Sequence, residues 1–135
     1  MLDVTCYCTQ ARRLARQLTD LYDQALAPTG LKVTQFSVLR MIGRVDSPTI
    51  GALADATGLD RSTLGRNLKV LQKDGWVALG PGDDERTRLV SLTKAGRVAL
   101  ESAMPLWQAA QEAMEARLPA RVRAAVASGS AMLQT

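Results

Sequence analysis

Histidine is missing from this chain altogether, and cysteine occurs only at Cys6 and Cys8. A structural zinc site takes about four thiolate or imidazole ligands, so two thiols without a histidine exclude one. The same absence removes the usual base that activates a serine or cysteine nucleophile. Asp83, Asp84 and Glu85 are adjacent in a turn-rich stretch rather than opposed across a cleft, so neither an enzyme nor a cofactor is expected. The five aromatic residues, two Trp, two Tyr and one Phe, are too few for a platform that stacks unpaired bases. No apolar run approaches the roughly 20 residues of a membrane span. The N-terminus carries Asp3 and two cysteines where a secretory leader has a basic patch and an apolar stretch. A cytoplasmic location follows as the expectation, and it disfavours a structural disulfide.

What is present is ordinary for one globular domain: 47% apolar and 22% charged among 135 residues, enough for a single core. The net charge of +4 is weak evidence about partners, but its distribution says more. Arg61, Arg66, Lys69, Lys73, Arg86, Arg88, Lys94 and Arg97 crowd one third of the chain and hold about half of its 17 basic residues. With so few aromatics, a nucleic-acid partner for that charge is expected to be a duplex.

Apolar periodicity predicts a first helix over Cys6 to Ala27, on Leu14, Leu18, Leu21, Tyr22, Ala25 and Leu26 at three- and four-residue steps. "PTG" stops it, and Thr34 is the expected N-cap of a second helix whose core side is Phe36, Val38, Leu39 and Ile42. After "DSPT", Thr49 caps a short helix ended by Gly58, and Asp60 caps the next, ended by Gly75, a spacing that reads as a helix-turn-helix. "WVALG" and "TRLVSLT" read as two strands around the polar tip "PGDDER", with Arg88, Val90 and Leu92 on one face. Thr93 starts a long helix to about Arg117, apolar along Val98, Leu100, Met104, Trp107, Ala110 and Met114, with Pro105 expected to bend it. Pro119 opens a last helix to about Leu133. The expected fold is mainly α, in the order α-α-α-α-β-β-α-α: a winged helix-turn-helix at about 34–93, flanked by helices at about 5–27 and 94–133 in one domain. The apolar faces left over on those flanking helices predict a homodimer.

In "DRSTLGRNLKVLQKDGWV", Leu64, Leu68 and Leu71 form the inward stripe, which turns Ser62, Thr63, Arg66, Asn67 and Lys69 largely outward. Hydroxyls, an amide and a guanidinium are the groups that read base edges and phosphates in the major groove. The competing readings are a solvated helix face and, for the whole module, a winged helix that binds protein rather than DNA. In "GDDERTRLVSLT", Asp84 stands two residues before Arg86, near enough to aim its guanidinium at a narrow, negative minor groove. On its own that stretch is an ordinary hairpin turn; behind a helix with such a face it points to a DNA-binding wing.

"LADATGLDRSTLGRNLKVLQKDGWV" followed by "GDDERTRLVSLTKAG" resembles the MarR family of transcriptional regulators, with its Asp-x-Arg wing leading into an "LT-x-x-G" helix start. "YDQALAPTGLKVTQFSVLRMI" extends the likeness over nearly the whole chain. The resemblance implies a homodimer, joined by first and last helices, that binds an inverted repeat in double-stranded DNA and represses. It gives Arg61, Ser62, Thr63, Arg66 and Asn67 the major-groove role, and Arg86 the minor-groove role with Asp84 orienting it. Thr49 and Lys69 fall to phosphates. The closing "SGSAMLQT" is short and rich in small residues for a dimerising helix.

Two signals are open. Side chains two apart on a helix diverge by about 200°, so an internal Cys6–Cys8 disulfide cannot close. One branch of the family senses organic hydroperoxides with a cysteine early in its first helix, hydrogen-bonded to tyrosines; Cys8 and Tyr22 fall at those positions, although Val33 replaces a second tyrosine. Cys8 as a small residue buried at the dimer interface is the competing reading, and Cys6 is assigned no role. The other signal is the family's usual small aromatic acid, for which Arg12, Arg16 and Arg40 are carboxylate partners or merely solvated charges.

Overall fold

The structure, a computed structural model, describes residues 6–134; position 5, where the first helix is expected to begin, lies outside them. Six helices and two strands follow in the expected order: α1 Tyr7–Leu26, α2 Val33–Val45, α3 Ile50–Thr57, α4 Arg61–Lys73, β1 Val77–Leu79, β2 Val90–Leu92, α5 Lys94–Arg117 and α6 Ala120–Leu133. "APT" after α1 adds one 3-10 turn, Ala27–Thr29, closed by Gly30 at φ +76°.

The core lies where α2, α3, α4, the hairpin and the first half of α5 meet. Phe36, Val38, Leu39 and Ile42 of α2 and Leu64, Leu68 and Leu71 of α4 are all buried there, as expected, each contributing roughly 1.5–3 kcal/mol. Along α5 the pattern differs from expectation. Val98 is exposed and the small Ala103 is the buried side chain. The helix continues through Pro105, whose ring is exposed.

The start of α2 corrects a second expectation. Its N-cap is Lys32, and Thr34 lies inside the helix. The free N–H groups there find acceptors elsewhere: Val33 N–H donates to Asp23 Oδ1 of α1 at 2.7 Å, and Lys32 N–H to Gln35 Oε1 at 2.9 Å. A carboxylate arriving from a neighbouring helix thus replaces a local hydroxyl cap.

β1 and β2 pair antiparallel, Val77 with Leu92 and Leu79 with Val90. Arg88, expected on this strand, precedes it. The segment between α2 and α3 adds a further edge: Thr49 bridges Leu89, and Val90 N–H donates to Pro48 O at 2.8 Å. Reaching that edge takes a sharp reversal, in which Asp46 (φ +58°) and Ser47 (φ +52°) both take a positive φ, which side chains disfavour.

The two ends of the fold are less covered. α1 packs chiefly against α5, with Leu26 its only buried residue, while α6 has no buried residue. No described helix is long and apolar enough to cross a membrane.

Candidate nucleic-acid interface

Asp60 sets the start of α4. Its Oδ1 accepts from Thr63 N–H at 2.7 Å and from Ser62 Oγ at 2.9 Å, so the cap also holds Ser62. Those bonds, the Thr63 N–H first, hold the Asp60 carboxyl below its ordinary pKa of 3.8. A depressed folded pKa contributes stability that is complete above the unfolded value and is lost as pH falls through the folded one. Helicity of α4 is therefore expected to decline on acidification below about pH 4, and Asp60→Asn, which keeps an acceptor, should flatten that part of a circular-dichroism titration. An unchanged acid limb in the variant refutes the assignment.

Thr63 organises the next turn. Its Oγ1 accepts from Arg66 Nη2 at 3.2 Å, and its carbonyl accepts from Asn67 Nδ2 at 3.1 Å. Asn67 keeps Oδ1 and one N–H for a base edge. Arg61, Ser62, Arg66 and Lys69 are exposed, and Thr63 and Asn67 half-buried, so the helix presents these groups outward while its leucines face the core.

Thr49 is the N-cap of α3, with Oγ1 accepting from Ala52 N–H at 3.0 Å. That leaves its hydroxyl proton for a phosphate.

In the wing, Asp84 does not meet Arg86. Its Oδ1 accepts from Thr87 N–H at 3.0 Å, and its own N–H donates to Thr87 Oγ1 at 3.1 Å, closing a turn. Arg86 instead has Nη2 3.8 Å from Oδ2 of Asp55 on α3. The carboxylate that meets it is thus remote in sequence, and only the fold reveals it. Arg88 also leaves the basic face: its Nε donates to Gly80 O at 3.1 Å, bracing the hairpin. Gly82 is needed where it stands, since a Cβ there would lie 2.6 Å from Arg88 N.

At the other end, Tyr22 donates its hydroxyl to Gln111 Oε1. Burial, then the charge of Glu115, push its pKa up. Cys8 is exposed and accepts from Arg12 at 3.9 Å. It stands fourteen residues before Tyr22, about 21 Å along the helix, so one chain does not bring the two together. Cys6 departs most from expectation. It is the N-cap of α1 with extended backbone (φ −71°, ψ 115°), so helical divergence of the two thiols does not apply. Thr9, through its side chain first and its N–H second, and then the Cys8 N–H hold its thiol below the ordinary value. Arg40 lies 4.4 Å over the Trp107 ring, a cation–π contact rather than a solvated charge. Among the described residues no cluster of acids or thiols could hold a metal.

A profile of the MarR family matches residues 29–87, the stretch that builds α2 to the wing. Transcriptional regulator MosR of M. tuberculosis is 41% identical, over 95% of this chain and 96% of that one, with a TM-score of 0.82. This chain belongs to the MarR family. The family is one of transcriptional regulators, not of enzymes, and the fold described above is its winged helix-turn-helix. A structure of MosR in complex with DNA superposes with a TM-score of 0.80 at 41% identity, covering 96% of this chain and 99% of that one. A mutant MarR of E. coli complexed with operator DNA does so with 0.77 at 26% identity, over 93% and 92%. The HTH-type regulator YwoH of Bacillus subtilis (strain 168), itself uncharacterized, is 32% identical over 85 residues, 63% of this chain. That match spans 62% of YwoH.

Proposed function

We propose that this MarR-family chain is a repressor that binds a palindromic duplex operator as a homodimer. The lobe at about 34–93 holds DNA, and the helices at about 5–27 and 94–133 hold the partner copy. The observation that carries the reading is the outward face of α4. Arg61, Ser62, Thr63, Arg66 and Asn67 are presented there by the Asp60 cap and the Thr63 bonds, for the major groove. Arg86, with Asp84 shaping its turn, takes the minor groove, and Thr49 and Lys69 take phosphates. The DNA complexes of MosR and MarR support double-stranded DNA as the partner.

Dimerisation is supported by apolar surface left uncovered on the end helices: Tyr7 and Leu14 on α1, Val126, Met132 and Leu133 on α6. A second copy of this chain is the partner whose matching faces cover them, with recognition helices about one DNA turn apart.

Release by a signal is the remaining part. A small aromatic ligand is favoured by the cleft lined by Tyr22, Gln111, Glu115 and Arg123, about 340 Å³ in volume. An organic hydroperoxide acting on Cys8 is the second reading, favoured by the exposure of both thiols and by the Arg12 guanidinium against the Cys8 sulfur.

The test is a fluorescence-anisotropy titration with the duplex upstream of the chain's own gene, using reduced and hydroperoxide-treated protein. Salt-dependent binding by a dimer is expected. Loss on oxidation supports the thiol reading, and binding in both states returns the signal to the cleft. Arg66→Ala is expected to cost about 1–3 kcal/mol at its preferred base and to relax that preference. Lys69→Ala should weaken all sequences alike and reduce the salt slope by about one. Wild-type affinity in both variants refutes the assignment of α4.

A further inference from the structure

Arg86 does not stand free on the wing. Its backbone and its side chain both dock on the first turns of α3. Gly51 N–H donates to the Arg86 carbonyl at 2.9 Å. A Cβ built on Gly51 would stand 2.7 Å from Cγ and 2.8 Å from Nε of Arg86, so the arginine occupies the volume that any larger residue at 51 would fill. One helical turn on, Asp55 brings Oδ2 to 3.8 Å from Nη2. Positions four apart share a face of the helix, so Gly51 and Asp55 act as floor and wall of one seat. Glycine is among the poorest helix formers, yet Gly51 is buried within α3, which its role under Arg86 explains.

We infer that Gly51 and Asp55 are positioning residues that aim Arg86 at the DNA. The inference rests on the DNA-binding reading of Arg86 given above. The ion pair is exposed on both sides, 53% for Arg86 and 77% for Asp55, so its attraction in water is weak and its effect is directional. A long, flexible side chain is ordered before the duplex arrives, which removes part of the entropy cost of binding. Pairing through Nη2 leaves other N–H donors of the guanidinium for acceptors on the minor groove. The seat also fixes the wing contact to the same body as the recognition helix, so the two reach the duplex together.

The test uses a labelled duplex enriched by the wild-type protein from a random pool. Affinity and salt slope are measured for wild type, Gly51→Ala, Asp55→Asn, Arg86→Ala and the two double variants containing Arg86→Ala. Arg86→Ala is expected to weaken binding about tenfold, as loss of a charge-assisted contact does, and to lower the salt slope by about one. Gly51→Ala should reproduce both changes in the wild-type background and add nothing to Arg86→Ala, because the space is then empty. Its melting temperature should stay near wild type, since the atoms it displaces belong to a flexible side chain. Asp55→Asn, at an exposed position, should weaken wild type yet not weaken Arg86→Ala. A carboxylate that merely repels phosphate predicts the opposite, tighter binding in both backgrounds. Wild-type affinity in Gly51→Ala, or a loss that adds to that of Arg86→Ala, overturns the seat while leaving Arg86 as a DNA contact. Equal affinity of Arg86→Ala and wild type overturns the DNA role of Arg86 and the seat with it.

Discussion

Gly96→Ala is expected to lower the melting temperature by roughly 10 °C, from a loss of about 3 kcal/mol at about 4 °C per kcal/mol for a domain of this size. Gly96 is buried in the first turn of α5, and a Cβ there would lie 1.9 Å from the Trp76 carbonyl oxygen and 2.8 Å from its carbon. Neither side can retreat. Trp76 is pinned through its N–H to Leu71 O at 2.9 Å, and its carbonyl accepts from Thr93 N–H at 3.1 Å. On the helix side, Gly96 N–H donates to Thr93 Oγ1 at 3.0 Å, and that hydroxyl donates to Gly75 O at 2.6 Å. The "LT-x-x-G" signature thus has a physical basis: the threonine joins two elements, and the glycine lets them approach. Gly65→Ala is the control, because nothing lies within 4 Å of its added Cβ; it should melt no lower than wild type. A Gly96→Ala protein as stable as wild type contradicts this packing.

Phe36→Ala is expected to cost about 3–5 kcal/mol, a large part of the roughly 5–15 kcal/mol that holds a domain together. The ring is fully buried and meets Trp107 of α5 with centroids 5.5 Å apart and planes at 31°. Its removal leaves a cavity between α2 and α5. Phe36→Leu, which keeps most of the volume, should cost less than half as much. Urea unfolding would show the difference as a lower midpoint at unchanged slope. Equal midpoints for the alanine and leucine variants would mean that the site collapses freely and that the aromatic contact contributes little.

Local signals were legible in the amino-acid order. The leucine stripe of α4, the Asp60 cap and the left-handed glycines at Gly58 and Gly75 depend on neighbours within one or two turns, and the structure has all of them. The candidate DNA-facing residues followed from the same stripe, since whatever is not inward on a helix is outward. Partners from elsewhere in the chain were not legible. Asp23 displaces Thr34 as the cap of α2, Pro48 and Thr49 extend the wing sheet, and Asp55 takes the place given to Asp84. Each depends on a tertiary approach with no periodic signature. Gly51 did carry a faint signal: a glycine early in a helix, four residues before an acid, marks a place where something lies close.

Thr93 ties the end of α4 to the start of α5, through its hydroxyl to Gly75 O and its N–H to Trp76 O. From that pivot α5 runs for 24 residues, a stiff arm about 36 Å long. Turning the arm by about 5° carries its far tip sideways by about 3 Å. Any tilt of α5 about its start is thereby magnified at Arg117, and the ratio is set by helix length alone.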